Sequence, residues 1–168
     1  MLYTPLTRKA LRVCFDAHRE QNDKAGAPYV FHPFHLAEQM PDENTTVTAL
    51  LHDVLEDTEI TADMLAEMGF PEPVLTALRL LTRDPETPYD DYIRTLAGNP
   101  IARAVKRADL AHNADLSRLE AVTDADLARA EKYRRAAEYL EQAEHPDGNG
   151  PDASPAEAGK HTEGEVNH

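Results

Sequence analysis

The chain has little with which to cross-link itself or to present a basic surface. Its 168 residues hold one cysteine, Cys14, and no tryptophan. A single thiol excludes an internal disulfide framework and fits a reducing compartment. Set among Leu11, Val13 and Phe15, Cys14 reads as a small core residue, not a nucleophile. Basic residues are outnumbered, 17 Lys and Arg against 31 Asp and Glu, which leaves a net charge of −14. A surface of that sign argues against nonspecific attraction to nucleic acid or to an anionic membrane, and neither is expected as a partner. A small polyanion stays admissible where a metal ion or a local basic cluster reverses the field. No apolar run reaches the roughly 18 residues of a membrane-crossing helix. The opening "MLYTPLTRKALR" lacks the apolar centre of a signal peptide, so a cytoplasmic location is expected.

What is present is helical. "LTRKALRVCFDAHREQ" puts Leu6, Ala10, Leu11, Cys14, Phe15 and His18 on one face at helical spacing. "NDKAGAP" is a loop broken by Gly26 and Pro28. "HPFHLAEQM" starts a short helix that tolerates Pro33 in its first turn. "ENTTVTALLHDVLED" is expected as one helix, with Val47, Leu50, Leu51, Val54 and Leu55 facing inward. Thr61 is the expected N-cap residue of the next helix, which closes at Gly69. Helical patterns follow in "PEPVLTALRLLTR", "TPYDDYIRTLAG" and "NPIARAVKRADLAHNADLSRL", and a polar-faced helix from Asp124 to Gln142 ends the series. No strand-like alternation of useful length interrupts them, so the predicted fold class is an all-α bundle, with residues 1–143 as one domain. Residues 144–168 contain four of the seven glycines, three prolines and six acids but almost no large apolar residue, so a disordered acidic tail is expected there. The histidines in it, His145, His161 and His168, read as solvated.

The chemistry concentrates in "LLHDVLEDT", residues 50–58, where four ionisable side chains follow an apolar run. Neutral imidazole and ionised carboxylate are good ligands for divalent metals. His52 and Asp53 point about 100° apart on a helix and can straddle an ion at its edge. Two other helices offer ligands to complete it: His32 in "PYVFHP", and Asp109, an acid set in the apolar pattern of "VKRADLAHN". Glu56 and Asp57 lie one turn beyond the His-Asp pair, on the same edge. A metal acidifies water and a nearby carboxylate can take its proton, which points to metal-assisted hydrolysis of a phosphate ester. Each residue alone has a plain structural reading: solvated helix-end acids, or Asp109 paired with Lys106 or Arg107. Their conjunction favours one site. His18 and His35 read as packed or surface histidines, His112 as a residue at the site's edge, and Tyr89 and Tyr92 as packing residues with polar tips.

"GAPYVFHP", "ALLHDVLEDT" and "VKRADLAHN", in that order, resemble the hydrolase domain of the Rel/Spo-type alarmone enzymes, a branch of the HD-domain metal phosphohydrolases. The resemblance covers roughly residues 4–142, and no region resembles a synthetase domain. It implies that His32, His52, Asp53 and Asp109 ligate one divalent ion, usually manganese, and that Glu56 and Asp57 position and activate the attacking water. It implies removal of the 3′-pyrophosphate from ppGpp or pppGpp, a small nucleotide substrate, with Lys24, Asn113 and Tyr133 contacting it. The alternatives are another nucleotide such as NADPH, or an HD module that senses nucleotides without turnover. Asp23 stands where the resembled domains usually have Arg, and so does Asp115. Two acids in place of two bases predict a pocket less hospitable to a highly phosphorylated nucleotide.

Overall fold

The computed structural model describes residues 3–144, and these form an all-α fold. The tail residues 145–168, with His145, His161 and His168, lie outside the described residues. The helices are α1 (Pro5–His18), α2 (Phe31–Glu38), α3 (Glu43–Leu51), α4 (Val54–Asp57), α5 (Ala62–Glu67), α6 (Glu72–Leu81), α7 (Tyr89–Ala97), α8 (Pro100–Ala114) and α9 (Asp124–Glu144). Among the described residues the one β feature is an isolated bridge between Asn22 and Pro28.

Helix starts follow local chemistry. Thr4 and Asp42 each form a capping box with the residue three positions on, Thr7 and Thr45. Thr61 and Asn99 accept from the backbone of Met64 and Ala102. The chain leaves α5 through Gly69 at φ 84°, a conformation that favours glycine.

The centre of the bundle is α3. Every residue from Thr45 to Leu51 is buried, against α1, α2, α6 and α8. Its threonines conceal this in the sequence. Thr45 and Thr46 return their hydroxyls to the carbonyl of Asp42, so their polarity is satisfied inside the helix end. Leu50 and Leu51 are fully buried; truncating either to Ala is expected to cost about 2–5 kcal/mol.

Three expectations are corrected. The helix read as continuous from Glu43 through Asp57 breaks at His52 and Asp53, which form a turn between α3 and α4. Asp53 sits at φ −101°, ψ −3°, and its carbonyl receives the amides of Glu56 and Asp57 to start the next turn. Thr58 then ends α4 by bonding its hydroxyl to the Val54 carbonyl. As a result Leu55 is only partly buried. Phe15 does not join the core face of α1: it is 55% exposed and, with Phe31 and Phe34, borders an apolar surface hollow of about 700 Å³. The "HNADLSRL" segment leaves the helix at Ala114, where Asp115 caps a 3₁₀ turn over Leu116–Arg118.

Candidate functional site

The break between α3 and α4 aims two adjacent side chains at one point. His52 closes α3 with its ring buried and its Nδ1 2.9 Å from the Ala49 carbonyl oxygen. A carbonyl only accepts, so Nδ1 carries the hydrogen and Nε2 is left with its lone pair. That Nε2 is buried and has no hydrogen-bond partner. It stands 2.9 Å from Asp53 Oδ2 and 3.9 Å from Asp109 Oδ1. His32, in the first turn of α2, places Nε2 3.2 Å from Asp109 Oδ1 and 4.0 Å from Asp53 Oδ2. Thus His32, His52, Asp53 and Asp109, from α2, the α3–α4 turn and α8, are brought together. His32, His52 and Asp109 form a buried cluster able to hold a metal ion.

The donor set fits such an ion. Bonds of about 2.1 Å separate neighbouring ligand atoms by about 3 to 3.5 Å and opposite ones by about 4 Å, the range spanned by these four distances. Nε2 of His52, buried and 2.9 Å from Asp53 Oδ2, is the observation that most calls for a positive partner, a proton or a metal ion, because two facing acceptors repel.

Electrostatics point the same way. Burial opposes charge on His52, but Asp53 and Asp109 outweigh it and hold its pKa up at about 9. Burial likewise opposes charge on Asp53, yet His52 and the Tyr29 hydroxyl bring its pKa down to about 2. Asp109 is desolvated too, and Lys106 together with the two histidines holds it far below the usual carboxylate range. A buried and a half-buried carboxylate around the same two imidazoles demand positive charge, from protons or from a metal.

Each carboxylate is tied by a neighbour. Tyr29 donates its phenolic hydrogen to Asp53 Oδ2. Lys106 Nζ lies 2.7 Å from Asp109 Oδ2, the ion pair foreseen as the plain reading of that acid. Asn113, expected against the nucleotide, sets its Nδ2 2.5 Å from Asp109 Oδ1 and so also holds a carboxylate of the cluster. His112, at the site's edge as expected, sets its Nδ1 2.7 Å from Nδ1 of His32. Burial, then the charges of His32 and Arg118, push its pKa down to about 4.

Two cavities open beside the cluster. One, of about 230 Å³, is bordered by Asp53, Asp109 and Glu56 together with Arg83, Tyr89 and Lys106. The other, of about 350 Å³, is bordered by Lys24, Asp23, Asp115, Arg118 and Arg129. Tyr29, Asn113 and Tyr133 border both and join them. Glu56 is exposed at the first cavity, whereas Asp57 accepts from Gln21 Nε2 at 3.0 Å and does not border it. Arg83 spends Nε and Nη2 on the Thr87 carbonyl and has no carboxylate partner among the described residues. The Tyr89 hydroxyl is buried without a partner.

The two acids that stand for arginines are committed to the fold. Asp23 Oδ1 accepts from the amides of Ala25 and Ala27, both at 2.9 Å, and Oδ2 pairs with Arg118 Nη2 at 2.9 Å. Asp115 bonds the amide and hydroxyl of Ser117. Asp23 is therefore neutralised by a base drawn from elsewhere in the chain. Tyr29, Arg83 and Arg118 were not singled out in the sequence. Tyr29 lay inside a recognised motif, whereas two loop arginines carry no signal of their own.

No protein-family model matches the chain. The fold is that of a metazoan orthologue of SpoT described as hydrolysing ppGpp, with a TM-score of 0.64 over 85% of this chain and 87% of that one at 24% identity. Curated relatives match shorter stretches. The guanosine-3′,5′-bis(diphosphate) 3′-pyrophosphohydrolase of Aquifex aeolicus is 41% identical over 64 residues, 36% of this chain and 9% of the relative. The bifunctional (p)ppGpp synthase/hydrolase SpoT of Escherichia coli is 47% identical over 58 residues, 32% of this chain and 8% of the relative. The matched stretches span less than a tenth of the length of these relatives. In fold and in motifs alike, the chain resembles the hydrolase domain of the Rel/Spo-type enzymes. Among the described residues no helix is long and apolar enough to cross a membrane.

Proposed function

We propose that the chain is a metal-dependent phosphohydrolase that removes the 3′-pyrophosphate of ppGpp or pppGpp. The observation that carries this reading is the convergence of two imidazole nitrogens and two carboxylate oxygens beside a cavity bordered by the exposed Glu56. His32, His52, Asp53 and Asp109 would hold one divalent ion, manganese in the enzymes the chain resembles. When bound, that ion supplies Lewis acidity and offsets charge developing on the phosphoryl oxygens.

The chain's own groups account for the rest. Glu56 takes a proton from the attacking water, with Asp57 beside it held by Gln21. The water oxygen bonds to the phosphorus attached at O3′, the bond from that phosphorus to O3′ breaks, and O3′ takes up a proton. Water and ppGpp thus give GDP and pyrophosphate. Arg83, with a free guanidinium nitrogen, and Tyr89 border the cavity where the pyrophosphate would lie. Lys24 is exposed at the other cavity and suits the 5′ phosphates, with Tyr133 between the two. A cation at each end fits a nucleotide phosphorylated at both 3′ and 5′ positions better than one phosphorylated at a single end.

The test is release of pyrophosphate from ppGpp, and of orthophosphate from NADPH, by the purified chain with Mn²⁺, beside Asp53→Ala. Turnover of ppGpp lost in Asp53→Ala is expected. Turnover of NADPH alone would replace the substrate assignment, and binding of ppGpp without any turnover would turn the reading into a sensor.

A further inference from the structure

A metal-binding histidine must present a lone pair on one nitrogen, and the neighbour of its other nitrogen decides whether it does. For His52 that neighbour is a backbone carbonyl, which settles the matter directly. For His32 it is another histidine, and two facing Nδ1 atoms 2.7 Å apart are ambiguous, since either ring could be the donor. Something further out has to break the symmetry.

Arg118 does so. Its Nη1 lies 3.2 Å from the same Nδ1 of His112 and 3.3 Å from the His112 carbonyl oxygen. A guanidinium carries only donors. The Nδ1 of His112 therefore carries no hydrogen, its ring hydrogen sits on Nε2, and its one lone pair is shared between the longer contact from Arg118 and the shorter one from His32. Facing an acceptor, Nδ1 of His32 has to donate. The lone pair of His32 is then on Nε2, the atom directed at Asp53 and Asp109. Arg118 is in turn fixed by Asp23, the acid that also accepts from two amides of its own loop.

We propose that Arg118 and His112 are positioning residues that set the tautomer of His32 and so prepare it as a metal ligand, with Asp23 anchoring the series. The series runs Asp23, Arg118, His112, His32, from the 21–29 loop through the turn after α8 to α2. It gives a purpose to an acid that breaks the resembled pattern: Asp23 replaces an arginine in the loop and instead holds an arginine against His112. This assignment rests on the reading of His32 as a metal ligand.

The experiment reads the tautomers themselves. Full-length protein with ¹⁵N-labelled histidine is loaded with Zn²⁺, which is diamagnetic, and long-range ¹H–¹⁵N correlations are recorded, His112→Asn serving to assign His112. The expected result is His112 with its hydrogen on Nε2 and His32 with Nε2 on zinc and hydrogen on Nδ1. His112 with its hydrogen on Nδ1, or doubly protonated, overturns the proposal while leaving the metal site standing. Absence of any zinc shift on His32 overturns the metal reading itself. Zinc affinity, measured by chelator competition, supplies the second readout. His112→Leu should lose about 10- to 100-fold, the usual effect of removing an outer partner of a metal ligand. His112→Asn, whose carbonyl oxygen can take the place of Nδ1, should recover most of it. Equal affinities for wild type, Leu and Asn would overturn the proposal. Should His112→Leu fail to fold, Arg118→Met carries the comparison: it should leave His112 in mixed tautomers, and an unchanged spectrum would count against the role assigned to Arg118.

Discussion

The hydroxyl of Tyr29, in the loop before α2, donates to Oδ2 of Asp53, in the turn between α3 and α4. The same oxygen is the one closest to Nε2 of His52. Burial, then the charge of Asp53, hold the Tyr29 phenol well above its ordinary pKa, so it remains a donor at any working pH. Replacing Tyr29 by Phe removes the bond and keeps the ring. Mn²⁺ affinity is expected to fall about 10- to 100-fold, with stability lowered by only about 0.5–1.5 kcal/mol. Competition titration against a chelator measures the first and urea unfolding the second. An unchanged affinity would show that Asp53 needs no such support.

Lys106 neutralises Asp109 inside the bundle, and the sequel depends on metal. Lys106→Met leaves a buried carboxylate with less compensation, which typically costs about 3–5 kcal/mol. A bound divalent ion would supply part of the missing charge. Urea unfolding should therefore show a larger loss in EDTA than in saturating Mn²⁺. Equal losses in the two conditions would mean that no cation sits at Asp109 Oδ1.

Metal should also stabilise the parent chain by mass action. At a free Mn²⁺ concentration 100 times the dissociation constant, the gain is about 2.7 kcal/mol, visible as a higher melting temperature that EDTA abolishes. Asp109→Asn should melt at one temperature in both buffers. A Mn²⁺-dependent rise persisting in that variant would place the ion elsewhere.

Asp23→Arg, a change that would restore the pattern of the resembled domains, is expected to harm the loop. It removes the acceptor of Ala25 and Ala27 and sets a second cation against Arg118. Limited proteolysis should become faster between residues 21 and 29, and affinity for ppGpp should not improve. Tighter binding with an intact loop would restore the view of Asp23 as a repulsive acid in the pocket.

Cys14 sets a pH limit. Burial, reinforced by the charge of Asp53, pushes its thiol from about 9 to about 12. The folded state thus keeps its proton where the unfolded chain has lost it. The stability is fully present below pH 9 and declines as pH rises from 9 towards 12. The loss attributable to this thiol is about 1–2 kcal/mol by pH 10. His52, held up at about 9, titrates over the same window in both proteins, so the fall in stability from pH 8 to pH 10, read by urea unfolding, should exceed that of Cys14→Ala by this increment. Parallel pH dependence in both would assign the effect to other groups.

The all-α class and most helix boundaries were legible because caps, proline positions and apolar spacing act over a few residues. Thr61, Gly69 and the start of α9 at Asp124 needed nothing more distant. The four candidate ligands were legible for a different reason: an acid or histidine inside an apolar pattern is costly unless it has a partner, so each announces a site. Tertiary structure decided what those signals could not reach. The turn at His52 and Asp53 depends on α3 being enclosed by four neighbours, and the exposure of Phe15 depends on where α2 lies. Asn113 also meets Asp109 one turn away, a bond the motif did not announce. The fate of Asp23 rested on Arg118, 95 residues further along the chain. Local pattern fixes which residues carry charge and which face is apolar; which charge meets which is set by the packing of helices far apart in sequence.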